Sequence, residues 1–347
     1  MNQQQLNNAF TLFLSLLVEA MPFLLLGVLF SGLLLLFVDE RQLMAKMPKN
    51  PLLGALMGSS IGFLFPVCEC GNVPVARRLL MQGVPAPVAV GFLLAAPTIN
   101  PIVIWATWTA FRDQPEIVVL RVIFSLAIAT IVGWVFSAQA DLSQILQPAT
   151  SRSWKASQVK PEPKASLPEK EDSLPTLLQS GTYLLAGAGQ PVRMDATVLQ
   201  ADLAATSPAK PLTYKLRLLL DNTVQELREL GAVLVIGSAI AAFIQVAVPR
   251  EFILGLGGSP ITSIVAMMVL AAVVSICSTV DSFFALSFAS TFTSGSLLAF
   301  LVFGPMIDLK GVGLMLSIFK PKAIFYLFAL AAQLTFLFTL IVNLYVI

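Results

Sequence analysis

The chain has 347 residues, of which 57% are hydrophobic and only 12% charged, and its mean hydropathy is +0.85. Those values exclude an ordinary soluble domain and indicate a polytopic membrane protein, and a net charge of +2 gives no reason to expect a nucleic-acid partner. With no histidine and three cysteines, His-based catalysis, haem ligation by histidine, the common zinc sites and a disulfide scaffold all fall away.

The opening residues, MNQQQLNNAF, lack the basic start and small-residue cleavage site of a signal peptide, so the first hydrophobic run is expected to be retained. Crossing roughly 30 Å of hydrocarbon takes about 20 helical residues. Segments are expected near 10–38, 52–67, 69–83, 85–111 and 117–138; Leu12 to Phe37 and Ile117 to Ala138 carry one charge each. From about Gln139 to Pro211 the chain turns polar, with PEPKASLPEKED at the centre, which predicts a partly disordered linker. Within it LPTLLQSGTYLLAG is at most a short surface helix. Further segments are expected near 222–248, 260–277, 279–295, 297–319 and 323–346, and Ala323 to Ile347 is uncharged. The expected domains are a membrane repeat at 1–138, a cytoplasmic linker at 139–221 and a second membrane repeat at 222–347.

The flanks share one plan. With Glu19 set on Glu229, Gly27 falls on Gly237, Val38 on Val248, and Cys68 within one position of Cys277. APTINP (96–101) then meets GPMIDL (304–309), which sets Pro97 on Pro305 and Asn100 on Asp308. Five segments are an odd number, so the second copy enters the membrane from the opposite side. The expected fold is an all-α polytopic membrane protein of about ten segments (8–10), arranged as two inverted five-segment repeats with broken helices. Arg41, Lys46, Lys49, Arg77, Arg78, Arg152, Lys155, Lys210, Lys215, Arg217, Lys320 and Lys322 all fall on one face in this scheme. The positive-inside rule makes that face cytoplasmic and both termini periplasmic or extracellular, in a multi-pass inner-membrane protein. A re-entrant hairpin at 52–83 or 260–295 would leave every other loop on the same side.

The polar groups inside these segments carry the chemistry. Asn72 before Pro74 and Asn100 before Pro101 read as helix starts, with Asp281 and Asp308 at the equivalent positions of the second half. Four half-helices would then begin deep in the protein, each presenting free amides and a positive dipole end. Lys310, two residues past Asp308, is the obvious charge partner for it. In an extended FPVCECGNVP segment, Cys68 and Cys70 would face one site and Glu69 would face away, with Cys277 and Thr279 as the matching pair. Three thiols sharing a centre would suit soft partners such as trivalent arsenic, Cu(I) or another thiol, although a buried free cysteine is also an ordinary small hydrophobe. Glu19 and Glu229 read as interhelical pairing groups or proton relays, and Arg77 and Arg78 as surface residues.

Taken together, FPVCECGNVPVARRLLMQGVPAPVAVGFLLAAPTINP in the first half, with SICSTVDSFFAL and FGPMIDLKG in the second, resembles the YraQ/ArsP-like permeases over both membrane halves. The resemblance implies a permease, and characterised ArsP-type members export trivalent organoarsenicals. It directs attention to Cys68, Glu69, Cys70, Gly71, Asn72, Pro97, Asn100, Pro101, Cys277, Asp281, Pro305, Asp308 and Lys310. A three-thiol site is read from the repeat and not from the family, because the second half has only Cys277 and Thr279 in place of C-x-C.

The expected function is proton-coupled export of a small, thiol-reactive solute by a secondary permease, with an intramembrane thiol–disulfide carrier as the alternative. The expected substrate and ion ligands are Cys68, Glu69, Cys70, Asn72, Asn100, Cys277, Thr279, Asp281, Asp308 and Lys310, with Gly71, Pro97, Pro101 and Pro305 as helix breaks. No nucleotide-binding motif is present, and neither a cofactor, a resident metal nor an enzymatic reaction is expected. The expected partners are a small-molecule substrate and the lipid bilayer, with self-association left open.

Overall fold

The computed structural model describes residues 3–37, 47–48, 50–65, 68–137, 145–148, 150–151, 183–185, 191–193, 212–247 and 259–345. The first half contains α1 (Gln3–Phe37), α2 (Pro51–Ile61, extended by a 3-10 turn at Gly62–Leu64), α3 (Glu69–Met81), α4 (Ala86–Ile99), α5 (Pro101–Ala110) and α6 (Pro115–Ser137). The second contains α7 (Leu212–Ala247), α8 (Pro260–Val274), α9 (Asp281–Leu286), α10 (Ser294–Met306), α11 (Leu309–Met315) and α12 (Pro321–Tyr345). The order of long, short, short, broken and long pieces recurs. Joining α4 to α5 and α10 to α11 across their breaks gives ten segments, of which six are long and apolar enough to cross a membrane among the described residues. The fold is all-α and polytopic, and Val18, Ile236 and Phe325 stay largely exposed, as suits a lipid-facing surface.

The remaining four segments form two hairpins. Both outer ends of α2 and α3 lie beside the start of α4. A Cβ on Gly54, in the first turn of α2, would touch the Val88 side chain at 3.4 Å, one on Gly58 a turn later would fall on the Val88 carbonyl, and Gly83, at φ 83°, turns α3 directly into α4. Their inner ends lie deeper along α4, where a Cβ on Gly62 would come within 2.8 Å of the Ala96 backbone and Asn72 Nδ2 donates to the Leu93 carbonyl at 2.9 Å. Segment 52–83 is thus a re-entrant hairpin, as α3 with 13 residues is too short to cross. Small residues permit this packing, which in lipid must replace the hydrophobic effect between helices. In the second half Asn343 of α12 donates to the Pro260 carbonyl at the start of α8 (3.4 Å), and a Cβ on Gly295 of α10 would meet the Thr339 carbonyl at 2.8 Å. The starts of α8 and α10 therefore gather at the end of α12.

Those two ends are opposite ends of the molecule. α6 and α12 lie side by side, with Phe124 and Phe338 rings 5.2 Å apart. The chain just past α6 meets the start of α12 through Gln147 N–H to Ile318 C=O and Lys320 N–H to Ile145 C=O, each 2.8 Å. One end of the bundle, called here the linker end, therefore carries the starts of α2, α4 and α12. The far end carries the starts of α6, α8 and α10. Contacts across the halves pair α1 with α7, α4 with α10, α6 with α12, α3 with α11 and α5 with α9.

Proline and its neighbours explain the mid-span breaks. Asn100 is extended (φ −67°, ψ 153°), as a residue before proline prefers, and its Oδ1 accepts from Val103 N–H at 2.9 Å to start α5. Asp308 (φ −131°, ψ 168°) does the same for Gly311 N–H at 2.7 Å to start α11, without a proline. Pro97 and Pro305 sit inside α4 and α10, three residues before those breaks. Asn100→Ala removes a cap where water cannot replace it. It is expected to lower stability by about 1 kcal/mol, measured as a fall in thermal midpoint with the oligomeric state unchanged.

The linker lies mostly outside the described residues, as do residues 41, 46 and 49 and the side chains of Lys215 and Arg217. Two parts of it differ from expectation. α7 begins at Leu212, ten residues before the expected boundary, and Tyr183–Leu185 of the candidate surface helix is instead a strand paired antiparallel with Pro191–Arg193.

Candidate functional site

The central cluster forms where α3 of the first half meets α11 of the second. Cys68 is the N-cap of α3 with extended backbone, so Glu69 and Cys70 occupy the first turn. The sulfurs of Cys68 and Cys70 and a carboxylate oxygen of Glu69 lie within 4.8 Å of one another. An extended strand would have turned Glu69 away. The helix begins two residues before Gly71, and its tight first turn gathers all three side chains, which corrects that expectation. Cys277 arrives from the unwound stretch after α8, where its thiol meets that of Cys68, and Thr279 Oγ1 donates to Cys277 Sγ at 3.6 Å.

Charge completes the cluster. Lys310 Nζ lies 3.8 Å from Glu69 Oε1, with both side chains buried. The ion pair thus reaches across the halves, whereas sequence proximity had suggested Asp308, whose Oδ1 is occupied in capping α11. Glu69 Oε2 and Asp308 Oδ2 are buried with no hydrogen-bond partner. Two carboxylates facing one ammonium leave one negative charge over, which a proton or a cationic ligand would cancel. Ser275 holds the geometry from the side. It adopts a left-handed conformation (φ 49°), rare for a non-glycine residue, and its Oγ accepts from Leu309 N–H at 3.1 Å. Cys70 and Lys310 are 0% and 1% exposed, so the arrangement is sealed rather than an open cavity. An apolar hollow of about 400 Å³, lined by residues including Met268, Phe303, Phe328 and Gln333, shares no residue with it.

A second buried centre forms where α5 meets α9. Arg121 of α6 clasps Asp281 with Nη2 to Oδ2 at 2.6 Å and Nη1 to Oδ1 at 3.2 Å. Its Nη1 also donates to Thr107 Oγ1 at 2.7 Å and to Ser282 Oγ at 2.9 Å. Asp281 is the first residue of α9 rather than its cap, and the fork of Arg121 satisfies both of its oxygens.

Comparison with known proteins fits this architecture. Residues 5–344 match the ArsP_1 family, described as "Predicted permease". The chain belongs to this permease family. It is 38% identical over 323 residues to the UPF0718 protein YcgR of Bacillus subtilis, covering 93% of this chain and 92% of that one. It is 31% identical over 332 residues to a protein of Streptococcus mutans that bears the name "Putative two-component membrane permease complex subunit", covering 96% and 94% respectively. No solved structure matches.

Of the residues singled out from sequence, the permease gathers Cys68, Glu69, Cys70, Cys277, Thr279, Asp308 and Lys310 into one place. Asn72 lies inside α3 and bonds the Leu93 carbonyl, because the helix starts at Glu69; it is not a helix cap. Asn100 caps α5 and also donates to the Ala96 carbonyl at 3.3 Å. Gly71 is likewise no break. It lies in the first turn of α3, where the backbone of α1 at Gly27 comes against it. Arg78 is buried, not at the surface, and its Nη2 pairs with Glu226 Oε1 at 2.7 Å. Arg77 pairs with Glu229 at 3.1 Å on the half-exposed rim. Arg121 and Glu226 are site residues that the motifs and the repeat do not point to. For Arg121 the signal is plain, since a lone charge in an apolar span of this length carries a large solvation cost, whereas Glu226 has Arg228 and Glu229 beside it and does not stand out.

Proposed function

We propose that the permease is a secondary transporter that exports a small thiol-reactive solute, of the trivalent organoarsenical kind, across the inner membrane in exchange for protons. The observation that carries this reading is the meeting of thiols from both halves, Cys68 and Cys70 with Cys277, beside a carboxylate–ammonium group at the starts of α3 and α11. A soft solute would be held by sulfur. The leftover charge of Glu69 and Asp308 against Lys310 would be carried by the exchanging proton, with Asp281 excluded from that role by its clasp on Arg121. The opposed ends at which equivalent helices start, and the exchanged pairing of α3 with α11 and α5 with α9, support an inverted repeat. The cationic linker end would be cytoplasmic and both termini periplasmic.

Asp308→Asn tests the coupling. The amide oxygen still accepts from Gly311 N–H, so the fold should persist, while a pH gradient should no longer drive uptake of a monomethyl trivalent arsenical into everted vesicles. Undiminished gradient-driven uptake would refute the coupling role. Resistance profiling of a deletion strain, complemented by the wild type or a triple Cys-to-Ser variant, tests the substrate class. Equal protection by both against arsenicals would remove the thiol site.

The adjacency of Cys68 and Cys277 across the halves also suits a thiol–disulfide carrier. Trapping a mixed disulfide with a thioredoxin-like protein would favour that reading. The name of the Streptococcus mutans relative raises a second component for this chain too, which copurification would reveal.

A further inference from the structure

Two buried seams of like construction tie the halves together, one on each side of the central cluster. At the linker end Arg78 of α3 pairs with Glu226 of α7 at 2.7 Å. Ser31 of α1 donates to the other Glu226 oxygen at 3.1 Å and accepts from Arg78 Nε at 3.4 Å. Towards the far end Arg121 pairs with Asp281, with the Thr107 and Ser282 hydroxyls in contact at 3.0 Å beside them. Each seam is one guanidinium, one carboxylate from the other half, and hydroxyl groups. Arg78 and Arg121 are each 1% exposed. Their placement brackets the cluster. Arg78 lies ten residues past Cys68 along α3, about 15 Å towards the Gly83 turn. Arg121 lies six residues from the start of α6 at the far end, and Asp281 four residues past Cys277.

Stability does not explain these groups. Taking both charges out of water costs about as much as their attraction returns, and apolar residues of similar volume would seal the seams at least as firmly. An ion pair differs in one respect: when it separates into water, hydration of both charges replaces the lost attraction. It is therefore a contact that can open.

We propose that the two seams are the gates of the permease, Arg78–Glu226 closing the cluster on the linker side and Arg121–Asp281 on the far side. One opens while the other stays paired, and with both closed the structure is the occluded form. The proposal rests on the transporter reading, in which the halves must move apart at either end, but not on the identity of the solute. Arg121 and Asp281 then serve as gate residues rather than substrate ligands.

The native cysteines report the gates, because Cys68, Cys70 and Cys277 are all buried behind both. In membrane vesicles of either orientation, a membrane-impermeant maleimide should label the wild type slowly from both sides. Glu226→Gln leaves Arg78 unpaired and should raise labelling from the linker side on the order of tenfold, with the far side unchanged. Asp281→Asn should do the reverse. If either variant is labelled equally from both sides because its fold is lost, Arg78→Lys and Arg121→Lys carry the test. These keep the charge but lose the fork, and should give smaller one-sided increases. No increase, or a two-sided increase in the lysine variants as well, overturns the gates. Labelling requires no transported solute, so failure to find a substrate would leave a one-sided result standing, while normal transport without one-sided labelling would remove the gates alone.

Discussion

Lys310→Met is expected to abolish transport and to lower stability by about 3–5 kcal/mol, the usual cost of leaving a buried charge without its partner. Lys310 is 1% exposed and its ammonium lies 3.8 Å from Glu69, with Asp308 two residues before it at the head of α11. Neither acid has another cation in the cluster, and each already has one oxygen without a partner. Removing the ammonium therefore leaves two carboxylates facing each other across the seam of α3 and α11. The double variant Lys310→Met with Glu69→Gln should recover most of the lost stability, since it brings the leftover charge back from two carboxylates to one, as in the wild type, but none of the transport. Thermal unfolding in detergent reads the first effect and vesicle uptake the second. If the double variant were no more stable than the single, the Glu69–Lys310 pair would not be the interaction that matters.

Gly27→Val is the second large effect. A Cβ at Gly27 of α1 would fall on the carbonyl and Cα of Gly71, which is backbone on backbone, so no side chain can swing aside. Gly71 is in the first turn of α3, between Cys70 and Asn72, so displacing α1 disturbs the turn that holds the thiols. The expected cost is about 3 kcal/mol or more, at the upper end for overpacked sites, with loss of transport. The equivalent Gly237 faces the Lys310 backbone at 3.5 Å, an ordinary contact, so Gly237→Ala should be nearly neutral. Equal damage from both substitutions, seen as equal loss of folded yield, would contradict the close crossing.

The sequence revealed the elements better than it revealed their depth. Apolar run length located every long helix and Asn100 before Pro101 located the first break, because both signals are local, whereas Asp308, with no proline after it, was found through its match to Asn100 in the repeat. The re-entrant course of α2 and α3 was left open, since it depends on Gly58 and Gly62 meeting α4, which no periodicity encodes. The start of α3 was misplaced for a related reason. Asn72 has the residue type of a cap, but the chain begins its helix at Cys68, which supplies no side-chain cap bond. Partner choice was the least legible. Lys310 has Asp308 two positions away yet pairs with Glu69, 241 residues distant by number, because tertiary packing overrides sequence proximity. Arg121 and Arg78 find carboxylates in the other half for the same reason.

If thiols from the two halves share one site, a single reagent should bridge them. A protease site inserted in the linker, in a Cys70→Ser background, allows a direct test with a short bis-alkylating thiol reagent. After treatment and cleavage, the halves should remain joined on a denaturing gel, and Cys68→Ser or Cys277→Ser should release them. Separation of the halves at full alkylation of both cysteines would show that Cys68 and Cys277 do not meet and that the two halves build no common thiol site.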